Sequence, residues 1–376
     1  MAPTDEQRAD GPKMSRQNAP MAVFISSHKR IGAWLLITAA VVASAAAFAY
    51  VGGWLTPGRL TPQRLVNQLQ DNAGTFAGFR RNHAKGMCVS GWFDSNGAAR
   101  AYSVAQVFAL GRTPVEGRFA IPGGNPYASD SSVPIRSMAL RFTQANGQQW
   151  RTGMNSMPVF AVGTPQAFFA QLQAMQPTAA TGKPDPAKVA AFYAAHPETG
   201  PFRAWAKTAK PSASYATESY WGLDAFVFTD AHGKRQAVRW RMVPEATAAD
   251  AVAPGAGDAD FLASDLGRRL AQGPQRWELQ ITLANPGDPT NDASKAWPDN
   301  RRTIDAGTLV LDRIEPQDSG SCRDINFDPL VLPDGIAGSD DPLLAARSAA
   351  YADSYLRRTS EEAHWPGSLP LPEHRP

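Results

Sequence analysis

The chain has 376 residues, with 37 Lys and Arg against 34 Asp and Glu, and a formal net charge of +3. This length can bury a sizeable core in one large domain or two. The nearly balanced charge, without a basic run interleaved with aromatic residues, excludes a dedicated nucleic-acid surface. The 31 Gly and 31 Pro favour a loop-rich protein of many short strands over a helical bundle.

An apolar run near the N-terminus is the first predicted element. Residues 1–30 are polar and without periodicity, which predicts a disordered leader on the cytoplasmic side. Residues 31–54 carry no charge, and roughly 20 apolar residues suffice to span a bilayer. Because Lys29 and Arg30 precede this run, we expect a single-pass inner-membrane anchor with the rest of the chain in the periplasm. A signal peptide cleaved near Ala47-Phe48-Ala49, which would release the protein to the periplasm, and a buried core helix are the alternatives.

Beyond the apolar run, periodicity predicts short strands flanked by helices. Alternating apolar and polar residues bounded by turn signals indicate an antiparallel barrel or sandwich. The predicted strands cover 87–93, 101–108, 115–121, 135–142, 157–162, 225–229, 236–242, 277–283 and 307–314. The predicted helices cover 61–79, 164–175, parts of 186–209 and 341–359, and the predicted loops cover 176–190, 246–258 and 319–340.

The two cysteines, Cys88 and Cys322, lie outside any metal-binding spacing. In an oxidising compartment they could form one disulfide. Two separate buried thiols explain the sequence equally well, and both interpretations stay open.

Two segments far apart in the chain carry residues suited to peroxide chemistry. Residues 80–86 read Arg-Arg-Asn-His-Ala-Lys-Gly, which places an arginine three residues before His83. In the second segment Arg347 precedes Tyr351 by four residues, so on a helix the two side chains share one face. An imidazole on one side and an arginine-supported phenol on the other are what a haem needs to split a peroxide.

Both segments resemble the haem-binding segments of the monofunctional haem catalases, and they occur in that family's order. The resemblance extends over roughly residues 61–360 and is closest to the subgroup of catalase-related peroxidases. It implies an α+β fold, a haem-catalase-like antiparallel β-barrel flanked by helices, in a minimal haem domain over 55–360 with a loose tail at 361–376. Further segments that match the family are 107–114 with 117–119, 136–142, 155–160, 297–298 with 307–311, and 327–329 with 332–336.

The resemblance implies a haem b and a role for each matching residue. His83 would be the distal base that moves the peroxide proton, and Asn155 would donate a hydrogen bond to the peroxide. Tyr351 would ligate the iron as a phenolate, helped by the positive charge of Arg347. The remaining cofactor-binding residues would be Arg80, Arg118 and Arg358, which suit haem propionates, and Phe160 and Phe168, which suit an apolar pocket wall.

The implied activity is reduction of hydrogen peroxide through an oxyferryl intermediate, with oxidation of small organic donors and weak catalase activity. A lipid hydroperoxide isomerase on the same fold and a non-catalytic haem carrier or sensor are the alternatives. Two departures bear on this: Ala120 stands where catalases have a serine that supports the distal histidine, and Asn82 replaces a small apolar residue. The sequence shows no counterpart of the family's long N-terminal arm or extra C-terminal domain. A wider channel and peroxidase turnover are therefore expected; the oligomeric state stays open.

Overall fold

The structure, a computed structural model, describes residues 27–52, 54–56, 58–210, 212–247, 255 and 257–364. The chain separates into two compact units, Met1–Arg59 and Leu60–Pro376. Most of the predicted leader, residues 1–26, and most of the predicted tail, residues 365–376, lie outside the described residues.

The described part of the first unit contains one helix, α1, at Ser27–Val51. Its 21 residues from Ile31 to Val51 are long and apolar enough to cross a membrane, and none of the span is buried inside the protein. Length and composition alone fit a signal sequence equally well.

The second unit is built on an antiparallel sheet. Eight strands of the described chain close into a barrel in the order β1-β2-β3-β4-β5-β7-β8-β9, with β9 pairing back onto β1, while β6 and β10 extend the sheet from β7. Closure removes the free edges of the eight strands. The strands are β1 Gly86–Ser95, β2 Gly111–Ala120, β3 Ser137–Thr143, β4 Gln149–Asn155, β5 Tyr220–Trp221, β6 Phe226–Thr229, β7 Arg235–Pro244, β8 Gln275–Leu283, β9 Thr303–Pro316 and β10 Ile336–Gly338.

Aromatic side chains fill the barrel interior. Trp150 of β4 stacks on Phe142, its cross-strand partner on β3, with ring centroids 4.7 Å apart. Trp240 meets Trp150 edge-on at 5.1 Å, and Phe119 lies 5.7 Å from Trp277. Such pairs contribute about 0.5–1.5 kcal/mol each beyond the area they bury. The core is therefore a packed interior, and the site must lie outside it.

Six helices accompany the barrel in the described part of this unit. Proline at the first helical position and a capping side chain start several of them: Thr61 accepts from the Arg64 N–H, and Thr164 from the Ala167 N–H. Helix α2 packs against α7 and α3. The helices are α2 Pro62–Ala73, α3 Pro165–Ala174, α4 Pro186–Ala195, α5 Gly200–Thr208, α6 Phe261–Gln272 and α7 Pro342–His364.

The structure confirms the α+β barrel and most predicted strands, but two are wrong. Residues 103–105 have no regular structure and residues 106–108 form a 3-10 turn. The neighbours Val107 and Phe108 are both buried, which a strand with one core face does not allow. The predicted strand 157–162 is a loop, because Pro158 offers no N–H to a ladder. The strand β4, which carries the polar sequence Gln-Trp-Arg-Thr-Gly-Met-Asn, ends just before that loop.

Two helix boundaries differ from expectation, and one helix was not predicted. The helix predicted over 61–79 ends at Ala73, where Gly74 adopts φ +90° and stops it. Helix α6 was not predicted. The last helix was predicted to end at residue 359, but α7 continues to His364, so the first four residues of the predicted tail are helical.

A disulfide joins Cys88 of β1 to Cys322, across 234 residues and with a Cα–Cα distance of 5.2 Å. Both cysteines are fully buried. They pack with Ile325 and Phe327, and the ring of Tyr351 lies against this cluster. Of the two interpretations that the sequence left open, the structure has the disulfide.

Candidate active site

One cavity, of about 340 Å³, lies between the barrel wall, helices α2 and α3, and helix α7. The structure brings every site residue predicted from the sequence to its lining. The nine are Arg80, His83, Arg118, Asn155, Phe160, Phe168, Arg347, Tyr351 and Arg358.

His83 lies in the loop between α2 and β1, in a left-handed conformation with φ +55°. The preceding Asn82 holds this turn, because its Oδ1 accepts from the N–H groups of His83 at 2.9 Å and Gly123 at 2.8 Å. Thus the asparagine found in place of a small apolar residue shapes the loop. Burial, with the nearby charges of Arg118 and Arg347, lowers the pKa of His83 to about 3, so the imidazole is neutral at physiological pH.

The Nδ1 atom of His83 is buried and has no hydrogen-bond partner among the described residues. This agrees with the expectation from Ala120, which offers a methyl group where catalases have a hydroxyl. A different serine supports Asn155, the other residue predicted to contact the peroxide. Ser137 of β3 lies directly across from Asn155 of β4, and its hydroxyl donates to Asn155 Oδ1 at 2.6 Å. This bond occupies the amide oxygen and leaves the amide N–H groups to face the cavity.

Three arginines form a cationic cluster at the cavity. Arg80 donates through Nη2 to the carbonyl oxygens of Cys322 at 3.1 Å and Ile325 at 2.9 Å. Arg118 donates to Gln317 Oε1 at 2.6 Å, and burial with the neighbouring charge of Arg358 lowers its pKa to about 10. Within the described chain, Arg118 Nε and Arg358 Nη2 are buried without a hydrogen-bond partner. The cluster therefore carries more buried positive charge than its acidic neighbours neutralise.

The acidic side chains near the three arginines neutralise their charge only weakly. Arg358 reaches Asp324 only at 3.8 Å, and the Asp324 side chain is 65% exposed, where solvent screens the pair. Glu362, the acid with the larger effect on the pKa of Arg358, is shared with Arg323, which it meets at 3.0 Å. Burial, followed by the charges of Arg118 and Arg358, lowers the pKa of Arg80 well below its ordinary value. A ligand with two carboxylates would relieve this repulsion.

Helix α7, which also carries Arg358, places Tyr351 one turn after Arg347. The Arg347 guanidinium pairs with Asp224 and hydrogen-bonds the Tyr351 side chain. Burial alone would lower the pKa of Arg347, but the charges of Asp224 and Tyr351 raise it above its ordinary value. Gly153 of β4 leaves room for this pair, since a Cβ there would lie 3.3 Å from Arg347 Nη2 and 3.5 Å from the Tyr351 hydroxyl.

The two aromatic residues predicted to form the pocket wall lie together, with the ring centroids of Phe160 and Phe168 5.6 Å apart.

One set of contacts across the site was not predicted. Arg81, 4% exposed, pairs with Glu361 near the end of α7, and its backbone N–H donates to Ser354 Oγ at 3.3 Å. The histidine loop is thus bonded directly to the tyrosine helix.

Sequence reasoning missed Ser137, Asp224, Arg81 and Glu361. Ser137 and Arg81 lie in segments that carried the resemblance, but neither matched a position with a known role. Asp224 follows Trp-Gly-Leu, and its only sequence signal is a lone acid among apolar residues. Such a residue is buried only when it is paired, which was the available hint.

A closed eight-stranded antiparallel barrel with flanking helices, and a histidine and tyrosine on one cavity beside it, define the architecture of the haem catalases. The family model described as Catalase matches residues 60–366. The chain belongs to the catalase family. It is an oxidoreductase that acts on hydrogen peroxide.

Among curated proteins, the chain is 38% identical to a catalase-related peroxidase of Synechococcus elongatus, over 87% of this chain and 96% of that protein. It is 32% identical to a catalase-related peroxidase of Mycolicibacterium paratuberculosis, over 80% of this chain and 96% of the relative. A catalase of Vibrio vulnificus is 26% identical, and the match covers 78% of this chain but 60% of that protein. The chain therefore spans nearly the whole of the catalase-related peroxidases and about three fifths of the larger catalase.

Solved structures show the same fold. A bacterial catalase matches with a TM-score of 0.66 and 22% identity, over 76% of this chain and 59% of that one. A fungal catalase matches with a TM-score of 0.67 and 18% identity, over 76% and 61% of the two chains.

Proteins of the catalase family bind haem, and the residues present here fit that group. The cationic cluster suits two propionates, because guanidinium groups bind carboxylates through two parallel hydrogen bonds. Apolar residues such as Met138, Met154 and Phe160 line the same cavity and suit a porphyrin face. A phenol supported by an arginine suits a ferric iron.

Proposed function

We propose that this protein is a haem b peroxidase that reduces hydrogen peroxide to water and oxidises small organic donors, with weak catalase activity. One observation carries the proposal: a single cavity is lined by a neutral imidazole, by a phenol that an arginine supports, and by several buried guanidinium groups. In the overall reaction one peroxide becomes two waters while two donor molecules each lose one hydrogen atom.

His83 acts as the distal base. Its Nδ1 is buried, so Nε2 is the nitrogen left to meet a substrate. Because its pKa is about 3, the imidazole is unprotonated and can take the proton from one peroxide oxygen and return it to the other, which leaves as water. Asn155, held by Ser137, donates its amide N–H to the peroxide and stabilises the charge that develops as the O–O bond breaks.

On helix α7, Tyr351 would hold the haem iron, and Arg347 would stabilise its phenolate form. A free phenol has a pKa near 10, so it needs an adjacent positive charge to bind as an anion at neutral pH. Arg80, Arg118 and Arg358 hold the propionates, and Phe160 with Phe168 excludes water from the apolar edge. When bound, the haem supplies the two-electron chemistry that splits the peroxide.

For localisation we propose an inner-membrane protein that α1 anchors in a single pass, with the haem domain in the periplasm. The charges of Lys29 and Arg30 before the apolar span support this orientation. The Cys88–Cys322 disulfide supports an oxidising compartment. Cleavage of α1 as a signal peptide, with release to the periplasm, is the alternative.

The test is a set of matched variants of the full chain, loaded with haem and mixed rapidly with hydrogen peroxide. His83→Ala should keep the haem absorption band but react with peroxide at least 100-fold more slowly, the usual range for a lost general base. His232→Ala, in the β6–β7 turn, is the control and should behave as the parent protein. Wild-type rates in His83→Ala would remove His83 from the chemistry.

The iron ligand needs its own pair of variants. Tyr351→Phe should lose haem or change its absorption spectrum, whereas Tyr193→Phe on α4 should leave both unchanged. An unchanged spectrum in Tyr351→Phe would contradict the assignment. Rearrangement of a fatty-acid hydroperoxide without any reductant would instead favour the isomerase, and a peroxide-inert haem would favour a carrier.

A further inference from the structure

The imidazole of His83 lacks the hydrogen bond at Nδ1 that usually fixes the orientation of a working histidine. Its buried Nδ1 is without a partner among the described residues, and Ala120, which lines the same cavity, offers only a methyl group. A side chain that moves a proton has to be held near one geometry, because misplacement by about 1 Å can cost roughly 100-fold in rate. Another part of the chain must therefore orient this ring.

The backbone around His83 is held instead, by a hydrogen bond on each side of its Cα. On one side the His83 N–H donates to Oδ1 of Asn82 at 2.9 Å. On the other side the Ala84 N–H donates to the carbonyl oxygen of Gly123 at 2.8 Å. His83 is thereby held at φ +55°, a left-handed conformation that a residue with a side chain adopts at a cost in free energy. Because the direction of the Cα–Cβ bond follows from the backbone, the two bonds also aim the imidazole.

The side-chain oxygen of Asn82 accepts a second N–H, that of Gly123 at 2.8 Å. Gly123 thus donates to Asn82 and accepts from Ala84, the residues immediately before and after His83. One amide oxygen therefore joins the histidine loop, residues 80–86, to the glycine turn, residues 122–124. Both Asn82 and His83 line the cavity, so this contact lies at the site itself.

The glycine turn lies backbone to backbone against the histidine loop. A Cβ atom on Gly124 would lie 2.9 Å from the carbonyl oxygen of Arg81 and 2.8 Å from Cβ of Ala73. Both separations are shorter than van der Waals contact, so only glycine fits there. The close approach brings the Gly123 N–H within reach of the short Asn82 side chain.

We propose that Asn82 positions the base of the peroxide reaction: it orients the His83 imidazole through the backbone, in place of a hydrogen bond to the ring. The proposal rests on the proposed function, because it takes His83 as that base. Asn82 is a positioning residue that acts through His83 and takes no part in the proton transfer.

Support through the backbone suits a residue that takes up a proton and returns it. A hydrogen bond to a ring nitrogen depends on the protonation state, since a neutral imidazole has one donor and one acceptor nitrogen and the protonated ring has two donors. The bonds at the backbone are the same in both states. The imidazole is therefore expected to keep one orientation throughout the reaction.

The first experiment measures the rate of reaction with hydrogen peroxide in the haem-loaded full chain. Asn82→Ala removes the acceptor of two N–H groups and should slow the reaction about 5- to 30-fold, the worth of one or two hydrogen bonds. Asn82→Asp keeps an oxygen acceptor and should recover most of the rate. Asn125→Ala is the matched control: this exposed asparagine accepts from the Tyr127 N–H at 2.9 Å, and its loss should leave the wild-type rate.

A double variant tests whether Asn82 acts through His83. In the His83→Ala background no imidazole remains to be oriented, so adding Asn82→Ala should change the rate by no more than about 2-fold. A general loosening of the cavity would slow the reaction equally in both backgrounds. Equal slowing would therefore overturn the proposal.

Hydrogen exchange tests the turn without haem. In Asn82→Ala the His83 and Gly123 amides lose their acceptor, so in the haem-free protein they should exchange about 5-fold faster than in the haem-free wild type. Asn125→Ala should keep wild-type exchange at His83. Wild-type exchange at both amides in Asn82→Ala would overturn the proposal.

Gly124→Ala perturbs the same contact from the glycine turn and serves if Asn82→Ala does not fold. Its Cβ would displace the turn from the Arg81 carbonyl and stretch the bond from the Gly123 N–H to Asn82. This variant should slow the peroxide reaction in the wild-type background but not in the His83→Ala background. Equal slowing in both would again overturn the proposal.

The outcomes separate the proposal from the proposed function. A His83→Ala variant that reacts at the wild-type rate would overturn the role of His83 and with it the proposed function. A slow His83→Ala variant beside an Asn82→Ala variant at the wild-type rate would overturn this proposal alone. The exchange experiment decides on the turn in either case, because it needs no haem.

Discussion

Removing the Cys88–Cys322 disulfide should destabilise the haem domain strongly. A cross-link that closes a loop of 234 residues lowers the entropy of the unfolded chain by about 18 cal/mol/K, about 5 kcal/mol at 25 °C. Residual structure in the unfolded chain reduces this entropy loss. At about 2 °C per kcal/mol for a domain of this size, the melting temperature should fall by up to about 10 °C.

The loss should also reach the haem. Cys322 belongs to the segment whose carbonyl oxygens hold Arg80, and Ile325 of that segment packs with the disulfide beside Tyr351. Releasing the segment should loosen Arg80, so haem should dissociate faster. Both effects can be followed in one preparation, unfolding by circular dichroism and haem loss by transfer to an apo-globin scavenger.

Two double variants separate the bond from the packing around it. Cys88→Ser with Cys322→Ser removes the bond and buries two hydroxyl groups, whereas Cys88→Ala with Cys322→Ala removes the bond and leaves the site apolar. Both should melt well below the wild type, the serine pair lower. An alanine pair that melts with the wild type would refute the loop-closure reasoning.

Three further predictions follow from the site. The rate of reaction with peroxide should not fall as the pH drops through 6.5, where a free histidine titrates, because the pKa of His83 is about 3. A midpoint near pH 6.5 in a stopped-flow pH profile would contradict this. Ser137→Ala should slow that reaction about 2- to 10-fold, the worth of one hydrogen bond to Asn155, and Ser137→Thr should recover it; wild-type rates in the alanine variant would exclude the bond. Glu361→Gln should lower the free energy of unfolding by about 2 kcal/mol in urea titrations, because it leaves the buried Arg81 without its carboxylate partner. An unchanged midpoint would show that the pair contributes nothing.

The sequence relates candidate site residues to one another wherever they belong to one short segment. His83 with Arg80, and Tyr351 with Arg347, each lie within one helical turn or loop, so their spacing alone relates them. Barrel strands with clear alternation, such as β2, were also predictable. The fold class followed from these strands and from the resemblance together.

What the sequence could not show is pairing across the fold. Ser137 and Asn155 are 18 residues apart and meet only because β3 and β4 are in a particular register. Asp224 and Arg347 are 123 residues apart and meet only when the barrel closes against α7. The wrong strand at 101–108 has the same origin, since tertiary packing buries adjacent residues there and overrides alternation.

The arginine cluster should make the stability of the folded state depend on whether a dianionic ligand is bound. Three like charges confined together repel one another until a dianion arrives, and any species that binds only the native chain stabilises it by mass action. Cells short of haem would then hold this protein in a weaker form that opens more often and is cleared sooner by proteolysis. Abundance of the polypeptide would thus report on cofactor availability without a dedicated regulator.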